Sequence, residues 1–316
     1  TNWLTIANNT SLCNSYQKQP MISNSNTLFD QLDHHAASPL TPFNPDGSYT
    51  LAAAKTGYIA FSDGTGQWDK NLTVVTTTGL TIDFIKDVLS LRGDFSYKAI
   101  RRQRERARTP IDFYNAPGVA TAYYTQAQSY KSRWTYDTDY MSANAVLTWT
   151  PKLGENHSLN VVGGWNLEDY KYNRFYIQRK GMLFPEKFDS YELFDGTEIN
   201  VEQNNSDYGI IGFFGRVNYT LFNRYIIEAS VRYDGSSKFP TSQQWGLFPS
   251  ASVGWRLDQE PWMKWSKSWL DNFKIRGNFG SLGNGAISPY TFLETMSISK
   301  TGVNFNGNKN NYTTVP

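Results

Sequence analysis

From Leu72 onward, apolar and polar residues alternate with a period of two over most of the chain. Leu72, Val74, Leu80, Ile82 and Phe84 alternate with mostly polar neighbours, and Leu89, Leu91, Phe95, Tyr97 and Ala99 with Ser90, Arg92, Asp94, Ser96 and Lys98. The pattern recurs at Met141 to Trp149, Leu159 to Leu167, Ile211 to Tyr219, Tyr225 to Tyr233, Trp245 to Leu257 and Phe273 to Phe279. A period of two puts alternate side chains on opposite faces of a strand. About eight strands follow, most of them reaching the ~9–11 residues that cross a bilayer at a tilt. The first seventy residues lack this alternation. Pro39, Pro42, Pro45 and Asp46-Gly47 interrupt a run rich in Asn, Ser and Thr, which predicts a long loop region over 1–71.

The connections alternate in length. Short ones are expected at Lys86 to Val88, Pro151 to His157 and Leu221 to Arg224. Long ones run from Gln103 to Ser129, Gly181 to Asp207 and Ser236 to Gln244. Followed strand by strand, short turns fall at one end of a sheet and long loops at the other. Asp258 to Leu270 is the exception, and its Glu260-Pro261 start predicts a brief helix. Pro249 interrupts the Trp245 to Leu257 run and predicts a bulge or an irregular strand end.

Two all-β structures present strands with one apolar and one polar face. A soluble sandwich turns the apolar face into a core, with short turns at both ends. A transmembrane barrel turns it to lipid and lines a hydrated lumen with the polar face. Arg216, Glu228, Arg232, Asp234, Arg256, Lys274 and Arg276 suit the second arrangement. Rings near the ends of apolar faces, such as Tyr225 and Tyr233 or Trp245 and Trp255, fit headgroup-level girdles.

Composition sharpens this picture. Ten Trp, 20 Tyr and 19 Phe occur in 316 residues, with 18% charged residues and a mean hydropathy of −0.53. So many rings on so polar a background need a place that a small soluble core does not supply. A net charge of +2 argues against a dedicated nucleic-acid binder. No apolar run approaches the ~18–20 residues of a spanning helix. The single cysteine, Cys13, excludes an internal disulfide framework and reads as an inert thiol. The chain begins at Thr1 without a charged-then-apolar leader, so a signal peptide is expected to be removed or to lie outside this segment.

Several motifs in register carry a resemblance. NRYIIEASVRYDGSSKF from Asn223 to Phe239, WGLFPSASVGWR from Trp245 to Arg256, EPWM from Glu260 and LDNFKIRGNFGSLGN from Leu270 to Asn284 follow one another. Together they resemble the barrel of a SusC/RagA-type TonB-dependent transporter, densely over Asp207 to Asn284 and more loosely over Leu72 to Lys180. The resemblance implies part of a large antiparallel transmembrane β-barrel, incomplete in this chain, in the bacterial outer membrane with its long loops extracellular. Barrel strands would occupy 72–284, and 285–316 would begin a further extracellular loop. Neither the plug of that family nor a terminal aromatic strand is recognisable, so an internal segment of a longer protein is expected.

The implied activity is import of oligosaccharides or oligopeptides, with no enzymatic chemistry and no cofactor. The implied partners are a SusD-like surface lipoprotein as lid, the TonB-ExbB-ExbD system acting through a plug outside this chain, and outer-membrane lipid with lipopolysaccharide. Arg216, Glu228, Arg232, Asp234 and Arg276 would then face the lumen. A secreted all-β glycan-binding module is the alternative.

Candidate chemistry is sparse. Trp68, Tyr123, Tyr124 and Trp134 sit in aromatic clusters where rings could stack on a glycan or peptide substrate, or pack as loop and girdle residues. The run from Arg101 to Arg108 holds five arginines and reads as a polyanion patch, with lipopolysaccharide phosphates as the natural anions, or as a solvated strand tip. Asp30, Asp33, His34 and His35 have the residue types of a metal site but no ordered spacing, so a polar loop is the simpler reading. Gly64-Thr-Gly66 and the glycines from Gly280 to Gly285 lack the context of a phosphate loop and read as turns. No nucleophile elbow or triad appears, so a surface hydrolase is disfavoured.

Overall fold

The computed structural model describes residues 3–19, 41–50, 53, 65–124, 129–184, 190–196, 199–293, 299–305 and 308–314, with the side chains of 121–124 and 299–314 excepted. The strands are β1 (Leu4–Gln19), β2 (Gly66–Ile85), β3 (Leu89–Arg108), β4 (Ile111–Ala116), β5 (Val119–Tyr124), β6 (Tyr130–Trp149), β7 (His157–Lys180), β8 (Ile199–Leu221), β9 (Tyr225–Ser236), β10 (Trp245–Arg256), β11 (Lys274–Gly280), β12 (Ser299–Phe305) and β13 (Asn308–Thr314). Nine of them form one sheet in the order β1-β2-β3-β6-β7-β8-β9-β10-β11, with β4-β5 and β12-β13 as separate two-stranded sheets. The sheet is open, with β1 and β11 at its edges. The chain divides into two compact units. The first is Thr1–Ile82, Arg92–Asn144 and Glu168–Asp207, and the second is Asp83–Leu91, Ala145–Leu167 and Tyr208–Pro316.

All eight expected strands are present, and most extend past the alternation that revealed them. β3 continues to Arg108, β6 starts at Tyr130 and β8 at Ile199, so much of the expected loop from 103 to 129 and from 181 to 207 is strand. The loop expected over 1–71 is corrected in the same way. β1 pairs antiparallel with β2 without a break, from Leu4 opposite Ile82 to Gln19 opposite Gln67. Its sparse apolar residues hid it. Polar side chains also hold this pair: Asn8 Nδ2 donates to Thr78 Oγ1 at 2.8 Å, and the Thr10 and Thr76 hydroxyls lie 2.9 Å apart. The region expected as a loop over 285–316 contains the β12-β13 hairpin.

Pro249 makes no bulge, because β10 runs through it in register with Val231 of β9. The Pro249 carbonyl accepts from the Ser281 N–H at 3.0 Å, so the nitrogen, on the same strand edge, faces the side where β11 pairing stops at Gly280. A proline there forgoes one reciprocal bond at the point where that pairing ends. The helix expected after Glu260 is a 3-10 turn over Pro261–Ser268, preceded by a shorter one at Leu257–Gln259.

The apolar face of the sheet is the exposed one. Along β9, Tyr225, Ile227, Ala229, Val231 and Tyr233 are exposed, whereas Ile226, Glu228, Ser230 and Asp234 between them are half-buried. Leu12, Leu247 and Val253 are 60–70% exposed. The few buried apolar side chains, among them Ala107, Phe113, Met182, Phe194, Leu257 and Met263, lie at strand ends and in connections. A water-soluble sandwich would bury the opposite face.

Candidate functional site

Strand parity fixes which side chains share the polar face of the first unit. On β2 these are Gln67, Asp69, Thr73 and Thr77, and on β3 Ser96 and then Arg102, Arg104, Arg106 and Arg108. The Thr77 and Ser96 hydroxyls, 2.9 Å apart, confirm the shared face. On β6 it carries Tyr130, Trp134 and Tyr136, on β7 Tyr172, Arg174 and Tyr176, and on β8 Glu202.

These residues form a ladder of guanidinium groups against rings. Arg102 lies over Tyr136 at 5.7 Å, Arg106 over Trp134 at 5.4 Å and Arg108 over Tyr130 at 5.3 Å. From the other neighbouring strand, Tyr176 stacks on Trp134 at 4.7 Å. Trp134 is thus held between an arginine of β3 and a tyrosine of β7. A ring under a guanidinium attracts it through the ring quadrupole and leaves the N–H edge free to bind.

The charges on this face are unevenly matched. The Asp69 carboxylate, 9% exposed, accepts from Arg102 Nε at 3.1 Å and from Arg104 Nε at 3.1 Å. Two cations share one anion there. Arg106 donates to Gln67 Oε1 at 2.5 Å, so both of its partners, the amide and the indole, are neutral. Arg174 Nη2 meets Glu202 Oε2 at 3.1 Å.

The opposite face carries the remaining arginine of the run, Arg101. Arg101 Nη2 donates to Asp139 Oδ1 at 2.7 Å, with Asp137 at 3.6 Å, and Tyr97 Oη donates to the same Asp139 oxygen at 2.5 Å. The run therefore divides into Arg101, paired with carboxylates on the apolar-side face, and four arginines on the polar face. Between Lys180 and β8, the connection packs around Tyr191, over which Lys131 and Arg133 lie at 5.1 and 5.7 Å. Burial raises the Tyr191 phenol well above its ordinary value.

In the second unit, register places Arg216, Glu228, Arg232, Asp234 and Arg276 on one face: Phe214 opposes Arg232, Asn218 opposes Glu228, Ser252 opposes Glu228 and Gly254 opposes Arg276. Arg232 donates to Asp234 Oδ2 at 2.6 Å and to Asn166 Oδ1 at 2.8 Å. This cluster sits over Gly212, where a Cβ would overlap Asp234 Oδ1 and Arg232 Nη2. A cavity of about 310 Å³ is lined by Asp234, Phe239, Trp245, Phe248 and Gly283 to Gly285. In the connection after β10, Glu260 Oε1 accepts from Tyr225 Oη at 2.8 Å and Trp255 Nε1 at 2.9 Å, and Arg224 Nη1 lies 3.4 Å from Oε2.

Of the four aromatic residues singled out in the sequence, only Trp134 joins the ladder. Trp68 falls on the face of Leu72 and Val74, opposite the ladder. Tyr123 and Tyr124 lie in β5, with side chains outside the described residues. Asp30, Asp33, His34 and His35 lie outside the described residues too, and among the described ones no three His, Cys, Asp or Glu side chains group as metal ligands. No described helix is long and apolar enough to cross a membrane. Asp69, Gln67, Arg174 and Tyr176 were missed, although alternation of Arg102, Arg104, Arg106 and Arg108 is itself a strand signal.

Residues 15–312 match the family model described as TonB dependent receptor-like, beta-barrel. The chain belongs to this family. TonB-dependent receptors of this kind are proteins of the bacterial outer membrane. Residues of the chain are 30% identical over 145 positions to the TonB-dependent receptor SusC of Bacteroides thetaiotaomicron, covering 45% of the chain and 14% of that protein. TonB-dependent receptor P3 of Formosa agariphila is 28% identical over 162 residues, covering 51% of the chain and 16% of the relative. The fold is similar to that in a structure of the RagAB peptide transporter, with a TM-score of 0.72 at 17% identity, over 100% of this chain and 34% of that one. The chain thus spans about a sixth of its curated relatives and a third of the structural neighbour. It is a SusC/RagA-type barrel segment.

Proposed function

We propose that this chain forms part of the wall of an outer-membrane importer that takes up oligosaccharides or oligopeptides. The observation that carries the proposal is the inverted sheet: the apolar face is exposed, and the polar face holds the charges. In lipid the exposed face has a solvent, and closure by further strands would remove the open edges of the sheet. On this reading Arg216, Glu228, Arg232, Asp234 and Arg276 look into the lumen, and the long connections face outward from the cell. A SusD-like lipoprotein would serve as lid, and TonB-ExbB-ExbD would act through a plug outside this chain. The relatedness to SusC and the likeness to RagAB support both partners.

The test is extraction and gel mobility. The protein should leave outer membranes only with detergent and migrate differently before and after heating. Quantitative recovery as a soluble monomer without detergent would overturn the proposal.

A further inference from the structure

The polar face of the first unit has a chemistry that the importer reading leaves unassigned. Trp134 and Tyr136 are the rings a sugar would stack on, yet Trp134 is taken by Arg106 and Tyr176, and Tyr136 by Arg102. What remains for a ligand is guanidinium edge. Among the described residues, Arg102 and Arg104 share the single Asp69 carboxylate and the partners of Arg106 are neutral, so this face carries a positive excess. Glu202, the other carboxylate in this group, is engaged by Arg174.

Spacing and height narrow the ligand. Arg102, Arg104 and Arg106 are alternate residues of one strand, so they repeat at roughly 6.6–6.8 Å. Alternate side chains of any extended peptide repeat at the same interval. At about 3.3 Å per residue and a tilt of about 40°, Arg102 lies about 33 Å from the turn that opens β3, beyond the ~25 Å apolar band of a barrel. The outward face agrees, since its apolar residues on β3 end at Ala99 and Arg101, Gln103 and Glu105 follow. The ladder is thus placed in water above the membrane.

We infer that this arginine ladder binds an acidic oligopeptide in extended conformation, with carboxylates at alternate positions paired to Arg104 and Arg106. The inference rests on the importer reading, because it requires the polar face to open on the lumen. Guanidinium edges bind carboxylates in bidentate fashion, and the rings beneath fix their planes before the ligand arrives.

The test uses the full chain in detergent micelles, first checked for heat-modifiable mobility so that failure of the barrel reading shows separately. The probes are a capped seven-residue peptide with Glu at alternate positions, its Gln counterpart and an oligouronate of equal charge. The Glu peptide should bind at least tenfold more tightly than the Gln peptide, and Arg106→Gln should cut that difference severalfold while Arg101→Gln, on the opposite face, leaves it intact. If Arg106→Gln fails to fold, salt dependence of the unsubstituted protein decides: affinity for the Glu peptide should fall steeply with added NaCl and that for the Gln peptide should not. Equal binding of the two peptides, an unaffected Arg106→Gln variant, salt-independent binding of the Glu peptide or tighter binding of the oligouronate would each overturn the inference.

Discussion

The polar faces of the two compact units are built on different principles. In the first, long side chains rise from neighbouring strands and lock together, with Arg102 and Arg106 over Tyr136 and Trp134 and Asp69 between two guanidinium groups. In the second, glycines clear space. Gly212 makes room for the Arg232-Asp234-Asn166 cluster, and Gly164 lies where a Cβ would overlap the Ala145 carbonyl oxygen and crowd Phe214. A layer of stacked rings and arginines is a fixed surface suited to recognition, because its donors are oriented in advance. A glycine-lined layer lets backbone and side chains of adjacent strands approach closely. The contrast teaches that one alternating pattern serves two purposes, decided by what occupies the polar positions.

The largest effect should come from filling the glycine that lies tightest against neighbouring backbone. Gly164→Val forces a branched side chain against the Ala145 backbone, which cannot swing away as a flexible side chain can. Overpacking of this kind costs about 1–3 kcal/mol. The fraction of heat-modifiable protein should fall sharply, and an unchanged unfolding midpoint would contradict the close approach.

Asp69→Asn probes the other unit and should act less strongly on stability. It leaves two guanidinium groups without their shared carboxylate. Because the Arg102 side chain is 40% exposed, solvent absorbs part of the loss, leaving about 1–2 kcal/mol. Arg101→Gln is the internal comparison, since its exposed ion pairs are worth about 0–1 kcal/mol. Thermal midpoints of the two variants should rank in that order.

The strands and their faces were legible because contact with lipid demands an uninterrupted apolar row, visible in Tyr225 to Tyr233 and Leu159 to Leu167. The ladder was not, and for the same reason. Past Ala99 on β3 and before Met141 on β6 the outward positions turn polar, with Arg101, Gln103, Glu105, Asp137 and Asp139, so the alternation stops while the strand continues. Arg102 and Arg106 therefore read as a polyanion patch or strand tip, and Trp134 as a ring in a loop cluster. Their meeting also depends on which strands are neighbours, information that resides in pairing between distant segments. β1 escaped for a related cause, since threonine and asparagine ladders replace apolar contacts there.

The smallest expected effect is a pH response in the connection after β10. Hydrogen bonds from Trp255 and Tyr225, with Arg224 nearby, hold the Glu260 carboxyl below its ordinary value of 4.5. A lowered folded value means that the stabilisation is fully present above about pH 4.5 and is lost as pH falls through the folded value. Tryptophan emission should change on that acid side, and Glu260→Gln or Trp255→Phe should remove the change. A response confined to pH above 6 would refute the assignment.

Cys13 gives the alternation a direct consequence. It is the chain's lone thiol, it is exposed, and its pairing opposite Thr73 sets it on the polar side of β1. The unmodified sequence therefore carries a built-in reporter of which side of the wall is wet. A charged, membrane-impermeant maleimide should label it in detergent-solubilised protein. Lipid-dissolved thiol reagents, which reach the neighbouring Leu12, should pass it by.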